Sequence, residues 1–320
     1  MLRNYFKIAI RNLASNKVFT FINIFGLAIG LTTCLLIMLY IFSELGYDRQ
    51  ITEPDMVYRV SSAAKTESSK DEEGWAATAA PVWWSLKADM PEVAYSARLL
   101  KFPTFDKMLL KYADHGESKQ FYENNGYYVD SSFFRIFTYD FIFGNPLTAL
   151  DAPNSVVISG EVSHKLFGQD NPVGRSINIG LPFGNFDYTV KGVFRAPLKT
   201  HIPAHLFLSM RNGDIGGWVD QQTNWATNNI FHTYIRLKSR IDLDAFEKKF
   251  NKNIERRGGA DLKALGVSRH YFLQPLPEIY LHSRLKDEIA ATGNPTSLYI
   301  LSTIALFILL IACINFMNLS

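Results

Sequence analysis

Across 320 residues the chain carries 33 basic and 30 acidic side chains, a net charge of +3, and that excess is wholly local. Arg3, Lys7, Arg11 and Lys17 precede a long uncharged run, and the rest holds 29 basic residues against 30 acidic ones, so the basicity flanks an apolar segment and excludes a nucleic-acid surface. Cys34 and Cys313 lie in two apolar runs, which excludes a disulfide framework or a cysteine metal site between them.

In chain order, residues 2–16 read as a helix lying on a membrane. Leu2, Phe6, Ala9, Ile10 and Leu13 recur at helical spacing, and Arg3, Lys7 and Arg11 form a row of cations that can meet lipid phosphates. Residues 1–17, ending in Lys17, form this interface segment. Residues 18–43 are uncharged and long enough to cross a hydrocarbon core of roughly 30 Å. The run is too long for a signal peptide, whose apolar region is about 7–15 residues. Gly26 and Gly30, continued by Thr33, offer a face for close approach of another helix. Asn23 is a polar residue inside this span. The four cations before it, against Glu44, Asp48, Glu53 and Asp55 after it, place the N-terminus in the cytoplasm and residues 44–288 outside it.

That intervening region reads as α+β. Met56–Ser61 has strand composition, Ala80–Met90 is a helix opened by Pro81, and Glu92–Phe102 resumes as a strand. The aromatics Phe133, Phe134, Phe137, Tyr139, Phe141 and Phe143 predict core packing. Val156–Ile158 leads into a short helix capped by Ser159 and stopped by Gly168, followed by a turn at Asn171–Gly174 and a strand through Phe186, Tyr188 and Val190. Phe231–Leu237 alternates as a strand. A helix follows with Leu243, Phe246, Phe250 and Ile254 on one face, Asp242 and Asp244 near its start, Arg256 and Arg257 near its end and Gly258 beyond it. Arg269–Leu276 is a last strand, and Ile279–Leu281 leads toward a second span at residues 289–320, where Asn315 and Asn318 need partners if they lie in hydrocarbon.

Catalytic patterns are missing. Gly168–Ser176 has the wrong spacing and an Arg for the lysine of a phosphate loop, and neither His-Glu-x-x-His nor Gly-x-Ser-x-Gly occurs. Ser62/Lys65 and Ser283/Lys286 match a serine–lysine spacing without its companion motifs. His201 and His205 have the spacing of helical zinc ligands, but Pro203 between them predicts a loop with exposed imidazoles.

The segments Asn4–Leu13 and Ile22–Gly30 resemble the start of MacB/FtsX-like ABC transporter permeases of the Bacteroidetes type. Ser155–Ser159, Lys165–Gly168, Asn171–Arg175 and Val190–Phe194 are similar to that family's periplasmic core, and Leu276–Leu281 and Ile311–Ser320 resemble its approach to and passage through the second span. The resemblance implies a non-catalytic permease subunit in a bacterial inner membrane, with two transmembrane helices flanking a periplasmic α+β domain. That domain is expected to hold a porter-like βαβ subdomain with a second subdomain inserted at approximately 125–212. It further implies a separate cytoplasmic ABC ATPase carrying ATP and Mg, no cofactor on this chain, a second permease unit, membrane lipid and a periplasmic adaptor protein as partners, and further spans after residue 320.

Overall fold

The computed structural model describes residues 17–66, 71–102, 107–114, 117–213 and 215–317. They form two units, one made of residues up to Gly46 together with those from Gly293, the other of Tyr47–Thr292.

The first unit is a pair of helices, α1 (Lys17–Leu45) and α8 (Pro295–Met317). Stretches of 26 and 20 residues within them, Thr20–Leu45 and Pro295–Ile314, are long and apolar enough to cross a membrane. The two pack along one stripe each. On α1 the covered positions are Asn23, Leu27, Gly30, Cys34, Ile37, Ile41 and Glu44, alternately four and three apart; on α8 they are Leu298, Leu301, Ala305, Ile308 and Ala312. This is the spacing of a coiled-coil seam, with small residues where the backbones come close. Gly30 faces Ala312: a Cβ on Gly30 would stand 3.0 Å from the alanine methyl. The residues of the expected face are placed differently from one another. Gly30 is buried and Thr33 partly so, but Gly26 is exposed, because a left-handed seam follows 3.5-residue periodicity and Gly26 falls outside it.

In the second unit the described strands form a single mixed sheet in the order β13-β1-β12-β3-β6-β11-β8-β10-β9-β4-β5, with β2 and β7 attached to β1 and β10. One end is built from two β-α-β halves: β1 (Val57–Thr66), α2 (Pro81–Asp89) and β3 (Val93–Leu100), then β12 (Phe231–Leu237), α6 (Leu243–Ala264) and β13 (Val267–Pro275). Their order β13-β1-β12-β3 is antiparallel throughout, a split βαβ arrangement. Both helices lie on one face, where Val82 and Leu86 of α2 meet Phe246, Phe250 and Ile254 of α6 over Val60, Ile235 and Tyr271. Asp242 caps α6 by accepting from the Ala245 N–H at 3.2 Å. Gly258 does not end this helix. It lies inside it and is buried because the Trp225 ring packs on its backbone.

Everything between β3 and β12, residues 101–230, is an excursion that extends the same sheet. It comprises β4 (Met108–Asp114), β5 (Glu117–Glu123), β6 (Gly126–Val129), the one-turn α3 (Phe133–Ile136), β7 (Phe141–Gly144), β8 (Ser155–Ser159), α4 (Gly160–Phe167), β9 (Ser176–Leu181), β10 (Gly184–Phe194), β11 (Leu206–Ser209) and α5 (Gly216–Asp220). The expected insert at about 125–212 starts too late and stops too early, since β4 pairs with β9 and the hairpin β4–β5 belongs with it. Ser159 caps α4 by accepting from the Val162 N–H at 3.3 Å, and Gly168 stops it at φ 66°, outside the reach of ordinary side chains. The aromatic run packs in the core: Phe133, Phe134 and Tyr139 lie against Phe207 in a buried cluster with Phe137 and Phe194, Phe141 lies against it, and Phe143 packs on the neighbouring cluster. After β13 the short α7 (Leu276–His282) closes the domain.

Candidate functional site

Two short segments connect this domain to the apolar helices along the chain: residues 47–52 follow α1, and residues 283–292 precede α8. Both are built into the domain interior. Ile51 and Ile289 insert into the same cluster as Phe137, Tyr234, Leu276 and Ile279, each with about 3% of its surface or less left exposed. The expectation that the second span begins at 289 is corrected accordingly. Residues 289–292 belong to the folded domain, where the Ile289 carbonyl accepts from Lys101 Nζ at 2.9 Å, and an uncharged composition concealed this.

Charged groups reinforce the apolar anchors. Asp48, buried and at φ 57°, accepts from Thr200 Oγ1 at 2.9 Å and from the His201 N–H at 3.2 Å, and its own N–H donates to the Lys199 carbonyl at 3.1 Å. His201 Nδ1 lies 2.7 Å from Asp48 Oδ2, and its Nε2 lies 2.7 Å from the Tyr234 hydroxyl. Burial holds the Tyr234 hydroxyl far above the ordinary phenol range, with the Arg59 charge opposing and Glu288 and Asp48 adding to it. The phenol thus stays protonated and shares a hydrogen bond with His201 Nε2, while His201 Nδ1 shares one with the Asp48 carboxylate.

The Tyr234 oxygen also lies beside Arg59. This guanidinium, near the start of β1, has no exposed surface. It donates to Glu288 Oε2 at 2.6 Å and Oε1 at 2.8 Å, to Gln274 Oε1 at 2.6 Å and to Ser283 Oγ at 3.0 Å, while Ser283 also donates to Glu288. A charge this deep persists because its bidentate partner and two further acceptors offset desolvation. The result is a continuous polar chain, Asp48, His201, Tyr234, Arg59, Glu288, running through the domain from one connecting segment to the other. Further contacts tighten both ends. Tyr47 stacks on Tyr280 of α7, with ring centroids 3.4 Å apart, and Lys286 exchanges backbone bonds with Gly74 and Ala76 at 2.9 Å around β2 (Glu73–Trp75).

His232, next to this chain, is buried with Nδ1 unpartnered among the described residues, and its pKa is lowered to about 3 by burial, then by the charges of Arg59 and His201. It is neutral at physiological pH.

Sequence reasoning did not single out this clamp. The imidazole expected to be exposed at His201 is 5% exposed, because Asp48, remote in sequence, reaches it; His205 turns elsewhere and pairs with Glu123 at 2.6 Å. Ser283 serves Arg59 and Glu288. Among the described residues no group of three or more His, Cys, Asp or Glu is arranged to hold a metal ion. Of the residues singled out in the apolar runs, Lys17 is exposed at the start of α1, and Asn23 is buried in the helix seam with its Nδ2 unpartnered among the described residues. Arg3, Lys7, Arg11 and Asn318 lie outside the described residues, and of Asn315 only the helical backbone is described.

Residues 20–253 match the family described as the MacB-like periplasmic core domain, a span that takes in α1 and most of the sheet. The chain belongs to the MacB-like periplasmic core domain family. A domain of a protein named as a permease in Porphyromonas gingivalis has a similar fold, at a TM-score of 0.58 and 20% identity over 79% of this chain and 98% of that one. The periplasmic region of MacB from Actinobacillus actinomycetemcomitans aligns at a TM-score of 0.40 and 10% identity, over 68% of this chain and 90% of that one. The extracellular domain of the ABC-type transporter YknZ from Gram-positive bacteria aligns at 0.40 and 14%, over 67% and 99%. None of the curated proteins matches the chain. The MacB-like domain of this chain is thus an α+β domain flanked by two helices able to cross a membrane, and the chain is a membrane protein with an extracytoplasmic domain.

Proposed function

We propose that this chain is a permease subunit of an ABC transporter of the MacB/FtsX type, seated in the bacterial inner membrane with its N-terminus in the cytoplasm. ATP and Mg are handled by a separate cytoplasmic ATPase, and movement driven there reaches the periplasmic domain through the two spans, for export or extraction of a substrate. A second permease unit, membrane lipid and a periplasmic adaptor complete the assembly. The observation that carries this reading is the clamp: both segments continuous with the spans are anchored in one core and joined by one polar chain, so a displacement of either is passed to the domain as a whole. Loose tethers would dissipate it.

The test uses the complete permease reconstituted with its ATPase, spin-labelled at the exposed positions Tyr122 and Leu198. Addition of ATP and vanadate should change the distance between labels on paired permease units. In Arg59→Met/Glu288→Leu, which removes the central ion pair without leaving a lone charge, the change should shrink while ATP hydrolysis persists. Unaltered distances in the native protein on ATP addition would sink the relay, and failure to recover an ATPase with the permease would sink the assignment.

A further inference from the structure

The clamp leaves unused a broad groove of about 1190 Å³ at the outer edge of the sheet, between α6 from Lys248 onward, the end of β1 and the first half of β13. Lys65, Lys248, Lys252, Lys263 and Arg269 line it against the carboxylate of Glu255. The four lysines are exposed, and among the described residues none is ion-paired. Such a rim concentrates positive potential over a low-dielectric floor made by Ile254, Leu262 and Val267.

Among the described residues, β13 pairs with β1 on one side and with no strand on the other, with Tyr271 opposite Ser62 and Arg269 opposite Ala64. Alternate residues of an edge strand turn their N–H and C=O away from the sheet. In the second half of β13 helix α6 occupies these groups: Asn251 donates to the Tyr271 carbonyl and accepts from its N–H, both at 2.7 Å, and Glu247 Oε1 accepts from the Leu273 N–H at 2.7 Å. The same alternation turns the backbone of Arg269 and Val267 outward in the first half, where α6 presents Lys252, Lys263 and Glu255, none of them bonded to that backbone among the described residues. Among the described residues, the edge is blocked from Tyr271 onward and bonded by nothing where the groove lies.

We propose that this groove receives an extended acidic segment of a partner protein as an added strand on β13. Its backbone pairs with Val267 and Arg269 and its carboxylates meet the lysines. Edge pairing supplies affinity and the cationic rim selects sequence, the division of labour in recognition by strand addition. This inference does not depend on the permease reading.

The test uses the full chain in detergent and a fluorescein-labelled decapeptide of alternating Glu and Val, with binding read by fluorescence anisotropy. The peptide should bind, and amides of residues 267–269 should become protected from hydrogen exchange. Lys252→Glu/Lys263→Glu should weaken binding by about tenfold or more, as for charge reversal at a complementary interface. The same peptide N-methylated on every amide keeps its charges, requires no protein variant, and should not bind. Equal binding of the methylated peptide, absence of binding by the unmodified one, or protection confined to other strands would each overturn the proposal.

Discussion

The fully buried guanidinium of Arg59 grips both carboxylate oxygens of Glu288, at 2.6 and 2.8 Å, although the two residues stand at opposite ends of the domain's sequence. Removing one partner strands the other charge out of water. Glu288→Ala is expected to cost about 3–5 kcal/mol of unfolding free energy, whereas Arg59→Met/Glu288→Leu should recover most of it. Urea unfolding of the detergent-solubilised chain, followed by tryptophan fluorescence, measures both. A double variant as unstable as the single one would mean that the ion pair itself, and not the uncompensated charge, sets the loss.

At the other end of the polar chain, Asp48 combines a positive φ with three accepted hydrogen-bond partners. Asp48→Ala should therefore be less stable than Asp48→Gly by about 1 kcal/mol, since both lose the carboxylate and alanine alone pays for the backbone. Tyr234→Phe removes the hydroxyl bonded to His201 Nε2 and should cost about 1–3 kcal/mol. Equal stabilities of the alanine and glycine variants in the same urea assay would show that the backbone at 48 relaxes.

His232 makes acid sensitivity a property of this core. Its folded pKa is lowered to about 3, below the ordinary imidazole value near 6.5, so the unfolded chain takes up a proton that the native chain refuses. Its contribution is present above pH 6.5 and is lost as pH falls toward 3, with a slope of about 1.4 kcal/mol per pH unit between roughly pH 6 and 4. His232→Phe should flatten the dependence of the unfolding free energy on pH by that amount in the same window. An unchanged slope would assign acid sensitivity to other groups.

The helix pair separates two glycines that composition treats alike. Gly30 lies against Ala312, while Gly26 is exposed. Gly30→Leu should force α1 and α8 apart and lower the detergent melting temperature by several degrees, and Gly26→Leu should leave it within about a degree, as expected for overpacked and open positions respectively. Gly26 remains available to another helix, so a defect of Gly26→Leu in assembly with a second permease unit, with a normal melting temperature, would locate that contact.

Much of this architecture was legible from local signals. The caps at Ser159 and Asp242, the alternation of Phe231–Leu237 and the two apolar runs each encode their element within a few residues. The clamp was not legible in that way. Arg59, His201 and Glu288 sit in unremarkable local sequence and acquire meaning only through distant pairings, 229 residues apart for Arg59 with Glu288 and 153 for His201 with Asp48. Excursion boundaries failed for a related reason: β4 and β5 join the inserted portion through pairing with β9, which no periodicity reports.

Gly258 and Gly259 carry the sharpest contrast. Both lie inside α6, where alanine is intrinsically favoured over glycine by about 1 kcal/mol. At Gly259 an added methyl would meet Glu255 Cγ at 3.7 Å, an ordinary contact, so Gly259→Ala should stabilise the protein by up to about that amount. At Gly258 the methyl would overlap the Trp225 ring, whose backbone N–H is held by Asp261 of the same helix at 2.9 Å and which therefore cannot simply withdraw. Gly258→Ala should destabilise by about 1–3 kcal/mol despite its better propensity. Adding Trp225→Ala to it should restore the favourable sign of the alanine, measured against Trp225→Ala alone in a double-mutant cycle. Neighbouring substitutions with the same sign would mean that the tryptophan yields and that packing on this helix is looser than its buried face implies.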